Sequence, residues 1–246
     1  LLGGIGIATL AALAAAARER RASLEVAEAA AGPRSLGPGG GAGALVRSVV
    51  RVTLAIEAIG ALLLWFSWRD TLGNAGAVWP AVFHAISAFC NAGFSTFRDN
   101  FAGQAGSLPT LAVVSLLIIA GGLGFLVFED LQARLRGRRR RVTLHTRVVL
   151  ITTAVLIAGA TPLYVLFEWD HTLASPGFVE RVANAAFMAV TPRTAGFNTV
   201  DYEQISNPSL LLTLALMWIG GSPGSTAGGV KTTTAALLAL LFLARL

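Results

Sequence analysis

Long apolar stretches separated by clusters of charge dominate this chain. About 20 apolar residues are needed for a helix that crosses the hydrocarbon core of a bilayer. Only 13% of the 246 residues are charged, against about 25% in a typical soluble domain. A large soluble core is disfavoured because the charges lie between the stretches and not along one face of each helix. The sequence therefore predicts an all-α polytopic membrane protein with candidate spans at 1–17, 45–68, 108–132, 144–169 and 210–246.

A short apolar phrase occurs twice in the chain. It is Ala-Gly-Phe-Ser-Thr at 92–96 and Ala-Gly-Phe-Asn-Thr at 195–199. The apolar stretches before the two copies, 78–90 and 178–190, are each about a dozen residues long, which is too short to cross a bilayer. A stretch of sufficient length follows each copy. This order is typical of a re-entrant half-helix with a pore-lining loop, in a protein built from repeated helix, half-helix, loop and helix units.

A glycine-rich signature also recurs, at 3–7, 121–125 and 220–224. Together with the doubled phrase it divides the chain into five segments. The predicted segments are 1–17, the second membrane helix of a first unit; 18–44, a cytoplasmic linker; 45–133, a second unit; 134–143, a basic cytoplasmic loop; and 144–246, a third unit. Because the chain begins and ends inside apolar stretches, it is expected to be a fragment of a longer protein.

Arginine clusters predict the orientation of the spans. They occupy two connections, whereas the other connections carry mixed charges. The positive-inside rule places the basic connections in the cytoplasm, so both half-helices enter from outside. Every unit then begins and ends in the cytoplasm, as in parallel repeats about an axis along the membrane normal, which can enclose a pore. The two clusters are Arg134, Arg136, Arg138, Arg139, Arg140, Arg141 and Arg147, and Arg18, Arg20, Arg21, Arg34, Arg47 and Arg51.

The doubled loops have the chemistry expected of a cation filter. Rings of backbone carbonyls replace the hydration shell of a cation in potassium filters. Glycine permits an abrupt departure from helical geometry, and the partly negative C-terminus of each half-helix favours a cation. The alternative is a glycine turn that caps a short buried helix, and two matching copies disfavour it. The predicted ligands are the backbone carbonyls of Asn91, Ala92, Gly93, Phe94, Thr194, Ala195, Gly196 and Phe197.

Neighbouring side chains are assigned supporting roles. The rings of Phe94 and Phe197 are expected to pack behind the loops as aromatic wedges. His84, in the first half-helix, is expected to pack or to hydrogen-bond and not to bind the ion. Cys90 is expected to be a small buried residue, and Arg193 to form a structural ion pair beside the second loop.

The last apolar stretch contains a run of glycine, proline and small polar residues that cannot remain helical. Irregular backbone at membrane depth is tolerated only where protein or a water-filled cavity covers it. Lys231 follows this run and either repels cations or anchors a closed loop; snorkelling to the cytoplasmic interface is an equal alternative. The candidate gate comprises Gly220, Gly221, Ser222, Pro223, Gly224, Ser225, Thr226, Ala227, Gly228, Gly229 and Lys231.

Three phrases of this sequence resemble the Trk/Ktr/HKT potassium-transporter superfamily, in particular the bacterial ion-conducting membrane subunit of the Trk and Ktr systems. The phrases are FHAISAFCNAGF at 83–94, TPRTAGFN at 191–198 and MWIGGSPGSTAGGVK at 217–231. The resemblance implies four helix–pore–helix units in a pseudo-fourfold, channel-like arrangement around a central pore. It further implies that Gly93 and Gly196 are filter glycines and that 220–231 is an intramembrane gate.

The function implied by this resemblance is gated uptake of potassium across the bacterial cytoplasmic membrane. The implied partners are the lipid bilayer, a second copy in a homodimer and a cytosolic nucleotide-binding regulatory subunit of the TrkA/KtrA type, with no nucleic acid. The sequence contains no catalytic or metal-ligand spacing, so no enzyme activity is predicted, and no cofactor besides transported K⁺ and possible Na⁺. Two alternatives stay open: a sodium-permeable or sodium/potassium-cotransporting member, and a non-conducting membrane scaffold subunit.

Overall fold

A computed structural model describes residues 41–137, 140–174 and 177–245 of the chain. This part is helical and contains no β-strand, which confirms the predicted all-α class. The predicted helix at 1–17 and nearly all of the predicted linker lie outside the described residues. The helices are α1 (Gly41–Leu72), α2 (Val78–Phe89), α3 (Leu108–Leu123), α4 (Phe125–Leu135), α5 (Leu144–Glu168), α6 (Phe178–Val190), α7 (Asn207–Trp218) and α8 (Thr232–Leu243), with a 3₁₀ turn at Ala102–Gln104 between α2 and α3.

Two helices are long and apolar enough to cross a membrane by themselves. They are α1, through Arg47–Leu72 with mean hydropathy 1.9, and α5, Leu144–Glu168, with mean hydropathy 2.1. The α3–α4 pair adds a third span if the two helices are counted together. The apolar side chains exposed on these helices need a lipid or protein covering; they include Leu54, Ile59, Leu62, Phe66, Ile151, Val155 and Leu166.

The two predicted half-helices are present with nearly the predicted bounds. The second, α6, covers the predicted residues, and the first, α2, ends one residue early, at Phe89. Small residues on the buried face of α2, Ala81, Ala85 and Ala88, allow neighbouring backbones to approach closely. In both half-helices the buried residues concentrate toward the C-terminal end, which packs inside the described part of the chain.

Polar side chains fasten the ends of the helices to one another. In the second unit the indole Nε1 of Trp68 donates to Thr110 Oγ1 over 2.9 Å, which joins α1 to α3. In the third unit the Tyr164 hydroxyl lies 2.7 Å from Thr213 Oγ1, which joins α5 to α7. Glu168 also accepts hydrogen bonds from the backbone N–H and hydroxyl of Ser206 at the start of α7. Such bonds satisfy buried polar groups and hold the helix ends together.

The predicted span 108–132 is present as two helices that meet at a sharp bend, which the sequence analysis did not predict. The chain bends by 96° between α3 and α4, at Gly124, which has φ +84°. A Cβ atom on Gly124 would lie 2.6 Å from the carbonyl oxygen of Pro223, and the N–H of Phe125 donates to Gly224 O over 3.3 Å. The bend thus makes room for the irregular segment of the third unit, which packs directly against the break.

Candidate ion filter and gating loop

The two copies of the repeated phrase meet backbone to backbone. We call residues 91–94 the first filter loop and residues 194–197 the second filter loop. A Cβ atom on Gly93 would lie 2.6 Å from Ala195 O and 2.9 Å from Gly196 Cα, whereas one on Gly196 would lie 3.4 Å from Gly93 Cα. The approach leaves no room for a side chain at Gly93. The fold therefore brings together the two segments that the sequence predicted as parts of one filter.

Both filter loops have positive φ at the same two positions. The first and third residues are left-handed in each: Asn91 has φ +51° and Gly93 +70°, while Thr194 has φ +71° and Gly196 +80°. A β-branched residue such as threonine adopts this conformation only as an outlier. The two copies of the repeated phrase thus resemble each other in backbone geometry as well as in sequence.

The backbone carbonyls of the filter loops fall into two groups. The fourth carbonyl of each loop is held by a hydroxyl of the preceding half-helix segment: Ser87 Oγ donates to Phe94 O over 2.7 Å, and Thr191 Oγ1 donates to Phe197 O over 2.5 Å. Within 41–137, 140–174 and 177–245, the carbonyls of the first three residues of each loop accept no hydrogen bond. Backbone carbonyls are normally paired with protein or water, so these oxygens are the ones able to coordinate a cation.

A buried imidazole anchors the chain after the first filter loop. His84 Nε2 accepts a hydrogen bond from the N–H of Thr96 and lies 2.9 Å from Ser95 Oγ. Nδ1 must therefore carry the proton that is donated to Pro80 O over 2.7 Å. The His84 ring also stacks on Phe97 with centroids 4.8 Å apart. His84 is thus a packing and hydrogen-bonding residue, as the sequence predicted.

Only one of the two phenylalanines forms the predicted aromatic wedge. Phe197 is buried, and its ring meets that of Phe101 with the centroids 5.1 Å apart. The N–H of Phe101 also donates to Asn198 O over 3.0 Å, which joins the segments that follow the two loops. Phe94 is 61% exposed, so its predicted packing was wrong. Among the described residues no aromatic ring contacts Phe94 in the way that Phe101 contacts Phe197.

The predicted irregular segment lies between α7 and α8, and we call residues 219–231 the gating loop. Its two ends pair with each other. Gly220 N donates to Val230 O over 3.0 Å, and Val230 N donates to Trp218 O over 3.1 Å. A Cβ atom on Gly220 would lie 1.7 Å from Gly228 O, so glycine is required where the two ends pack. The interruption is therefore a closed, internally bonded loop.

The gating loop satisfies the open end of α3. Ser222 N donates to Gly122 O over 2.9 Å, and Thr226 N donates to Gly121 O over 3.2 Å. The last carbonyls of a helix have no partner within the helix, and here the third unit supplies those partners. The loop is consequently supported by the second unit.

A comparison with known proteins decides the family. A family model described as TrkH, cation transport protein, matches residues 2–246. The chain belongs to the TrkH family. The resemblance inferred from the three sequence phrases is thereby confirmed.

Relatives within the TrkH family include proteins named for ion uptake. The chain is 44% identical over 191 residues to the potassium/sodium uptake protein NtpJ of Enterococcus hirae, which covers 77% of this chain and 42% of the relative. It is 37% identical over 198 residues to the Ktr system potassium uptake protein B of Bacillus subtilis, covering 79% of this chain and 44% of the relative. The chain thus spans less than half the length of these relatives. Both relatives are named as ion-uptake proteins.

A solved structure shares the fold. The potassium transporter TrkH from Vibrio parahaemolyticus matches with a TM-score of 0.70 and 20% identity, over 99% of this chain and 47% of that one. At this identity the match establishes the architecture alone. It agrees with the pore-loop arrangement of α2 and α6 between longer helices.

Two charged residues of this TrkH-family chain bind backbone carbonyls of the gating loop. Arg193 is buried and donates from Nη2 to Gly220 O over 3.0 Å; its predicted ion pair was wrong, because no carboxylate among the described residues contacts it. Lys231 donates from Nζ to Ala227 O over 2.9 Å. That contact has the geometry of an anchor for the loop, one of the alternatives left open by the sequence. Cys90 is buried, as predicted.

A cavity opens beside the second filter loop, bordered by Gly196 and Phe197. Asp201 and Glu203 also line this cavity, which has a volume of about 530 Å³. Carboxylates at the mouth of a low-dielectric cleft raise the local concentration of cations. Tyr202 lies between them, and burial raises the pKa of its phenol. Asp201 and Glu203 therefore make this cavity attractive to a cation.

Sequence reasoning missed the contacts between the gating loop and the filter loops. The side chain of Asn91 donates from Nδ2 to Thr226 Oγ1 over 2.9 Å. Gly228 N donates to Thr194 Oγ1 over 3.2 Å. Neither pair has a sequence separation that suggests contact. The sequence did contain one signal for these contacts, the residue type. Asn91 and Thr194 occupy positions with a left-handed backbone, which glycine would adopt more easily.

Proposed function

We propose that this chain supplies two filter loops and the gate of a pore for potassium uptake. One observation carries the proposal: two loops with positive φ at the same positions meet glycine to glycine, and their first three carbonyls accept no hydrogen bond from the residues that the structure describes. A dehydrated cation needs several such oxygens held by the protein. Because the chain spans less than half of its relatives, the activity of the whole protein is part of the proposal.

The half-helices supply an electrostatic reason for cation binding. α2 ends one residue before the first filter loop, and α6 ends three residues before the second. The C-terminus of a helix carries a partial negative charge of about half an electron. A cation between the two filter loops would thus face two helix ends as well as the backbone oxygens Asn91, Ala92, Gly93, Thr194, Ala195 and Gly196. In this proposal further loops complete the ring.

The gating loop is proposed to close the path at the cytoplasmic side of the filter. It bonds to the end of α3, to Asn91 and to Thr194, so it lies close to both filter loops. Lys231 anchors the loop through Ala227 O. Opening requires the loop to leave α3, and the carbonyls of Gly121 and Gly122 then need new partners, which water in an open pore would supply.

The membrane location, orientation and partners of the pore are proposed from the family. The chain crosses the bacterial cytoplasmic membrane several times, with its arginine-rich connections inside. Arg134 and Arg136 lie at the end of α4, on the basic connection. This connection is a suitable contact for a cytosolic nucleotide-binding regulatory subunit, and a homodimer is the proposed assembly. One relative is named as a protein of the Ktr system, and this name supports a transporter of several components.

Potassium is favoured over sodium as the transported ion. Potassium appears in the names of both relatives and of the solved structure, and sodium in one. A sodium-permeable pore predicts that a filter loop elsewhere in the full-length protein has lost its glycine. A scaffold subunit predicts no conduction at all, and the unpaired carbonyls of the filter loops argue against it.

The test is an ion flux assay on the full-length protein in proteoliposomes. Loaded vesicles are assayed for K⁺ and Na⁺ uptake, with and without a cytosolic regulatory fraction and nucleotide. Selective K⁺ uptake is expected. The proposal fails if the full-length protein passes no K⁺ under any of these conditions, and the sodium alternative is adopted if Na⁺ passes equally well.

A further inference from the structure

The two filter residues that have both a left-handed backbone and a full side chain use that side chain on the gating loop. Asn91 donates to Thr226 Oγ1, and Thr194 accepts from Gly228 N. Glycine would adopt either conformation without strain. Strained residues persist only where their surroundings hold them, and they cluster in switch regions. The two side chains therefore have a role that glycine cannot fill.

We propose that Asn91 and Thr194 are positioning residues that fasten the closed gating loop to the filter loops. The inference rests on the proposed pore function. Opening of the gate then requires these two contacts to break, which releases the first residue of each filter loop. Ion occupancy of the filter and closure of the gate consequently stabilise each other. By linkage, each changes the equilibrium of the other by the same factor.

The contact at Asn91 reaches the half-helix as well as the filter loop. The Thr226 hydroxyl accepts from Asn91 Nδ2 and donates to Phe89 O over 2.9 Å. Phe89 ends α2, and its carbonyl is one of those that lack a partner within the helix. One hydroxyl of the gating loop thus holds both the first filter residue and the negative end of the helix that faces the proposed ion site.

The contacts at the second filter loop fasten two further points of the gating loop. Thr194 holds Gly228, and its neighbour Arg193 holds Gly220. The loop is therefore attached to the first filter loop through Thr226, to the second filter loop through Gly228, and to Arg193, just before the second filter loop, through Gly220. A loop held by both filter loops cannot withdraw as a unit while either filter residue keeps its position.

The test replaces the gating-loop partner and leaves the filter sequence intact. Thr226→Val has nearly the same shape as threonine and removes both hydroxyl bonds. Thr161→Val is the matched control, because it makes the same exchange and removes a hydroxyl bond to Ile157 O within α5, away from the gating loop and the filter loops. Each change is made in the full-length protein with Val230→Cys as a reporter, Cys90→Ser, and any other cysteine replaced.

The measurement is the rate at which a water-soluble thiol reagent modifies the reporter, in K⁺ and in choline. In the unsubstituted background K⁺ is expected to slow modification. Loss of a hydrogen bond should weaken this K⁺ effect by about threefold or more in Thr226→Val. Thr161→Val and Thr226→Ser should retain the full effect. The proposal is overturned if Thr226→Val keeps the full K⁺ effect.

Two further measurements separate the possible failures. K⁺ flux by the unsubstituted full-length protein tests the pore function alone, so flux without a change in Thr226→Val rejects only the positioning role. If Thr226→Val does not fold, the positioning role is tested by structures of the unsubstituted protein with the gate closed and with the gate open. The bonds of Thr226 to Asn91 and of Gly228 to Thr194 must be absent in the open state, and their persistence there contradicts the inference.

Discussion

Replacing Gly93 by alanine is expected to damage ion selectivity more than the same replacement at Gly196. Both residues have positive φ, and an L residue in that region costs about 1–2 kcal/mol. At Gly196 the new Cβ would meet Gly93 Cα at 3.4 Å, an ordinary contact. The conformational cost is then the main one, and it lowers the population of the native loop by about 5- to 30-fold relative to alternatives.

At Gly93 a second cost is added. The new Cβ would lie 2.6 Å from Ala195 O and 2.9 Å from Gly196 Cα, both of them backbone atoms of the other filter loop. Overpacking typically costs a further 1–3 kcal/mol, and it can be relieved only if the Ala195 carbonyl retreats. Because that carbonyl is a proposed ion ligand, Gly93→Ala should displace a ligand directly.

The assay is the K⁺ to Na⁺ permeability ratio of the full-length protein in proteoliposomes. Gly196→Ala should lower the ratio while leaving some preference for K⁺, and Gly93→Ala should bring it close to one. Gly159→Ala is the control, since Gly159 lies in α5 with no atom within 4 Å of a new Cβ, and it should retain the ratio. The reasoning is refuted if Gly196→Ala is the more damaging change or if neither change alters the ratio.

Three other substitutions probe the gate and the support of the filter in the full-length protein. Gly124→Ala would place a Cβ atom 2.6 Å from Pro223 O at a residue with positive φ, so the K⁺ leak through the closed pore should rise. Gly122→Ala is the control, because its Cβ atom would meet no atom within 4 Å, and it should leave the flux unchanged. An equal leak in both variants would contradict the role of the bend. Lys231→Met removes the bond to Ala227 O and should raise flux under closed conditions without changing the K⁺ to Na⁺ ratio, a result checked by paired flux and reversal-potential measurements. His84→Phe removes the bonds to Ser95 and Thr96 and should destabilise the protein by about 1–3 kcal/mol, so an unchanged thermal unfolding midpoint would count against this anchoring role.

The half-helices could be predicted closely because their signals are local. Each is an apolar stretch of restricted length that ends at a loop with a required left-handed glycine, Gly93 or Gly196. Length and glycine placement are properties of the sequence alone. The same reasoning located the irregular segment before α8, because glycine and proline exclude regular helix whatever surrounds them.

The features that were mispredicted depend on tertiary neighbours. The bend at Gly124 exists where the gating loop of the third unit packs against it, although the recurring glycine signature at 121–125 was available as a hint. Arg193 was expected to find a carboxylate, yet the gating loop supplies Gly220 O instead. Phe94 and Phe197 are equivalent in sequence, and only the neighbour Phe101 makes one of them a buried wedge.

The central claim is that the carbonyls of the two filter loops bind a dehydrated cation on a common axis. The most direct measurement is a crystal structure of the full-length protein grown in Rb⁺ or Tl⁺, whose anomalous scattering locates ions that substitute for K⁺. The account predicts anomalous peaks in contact with the carbonyl oxygens of both loops, at Asn91–Gly93 and at Thr194–Gly196. Peaks that lie elsewhere, or filter carbonyls that are bonded within the protein and turned away from the axis, would contradict it.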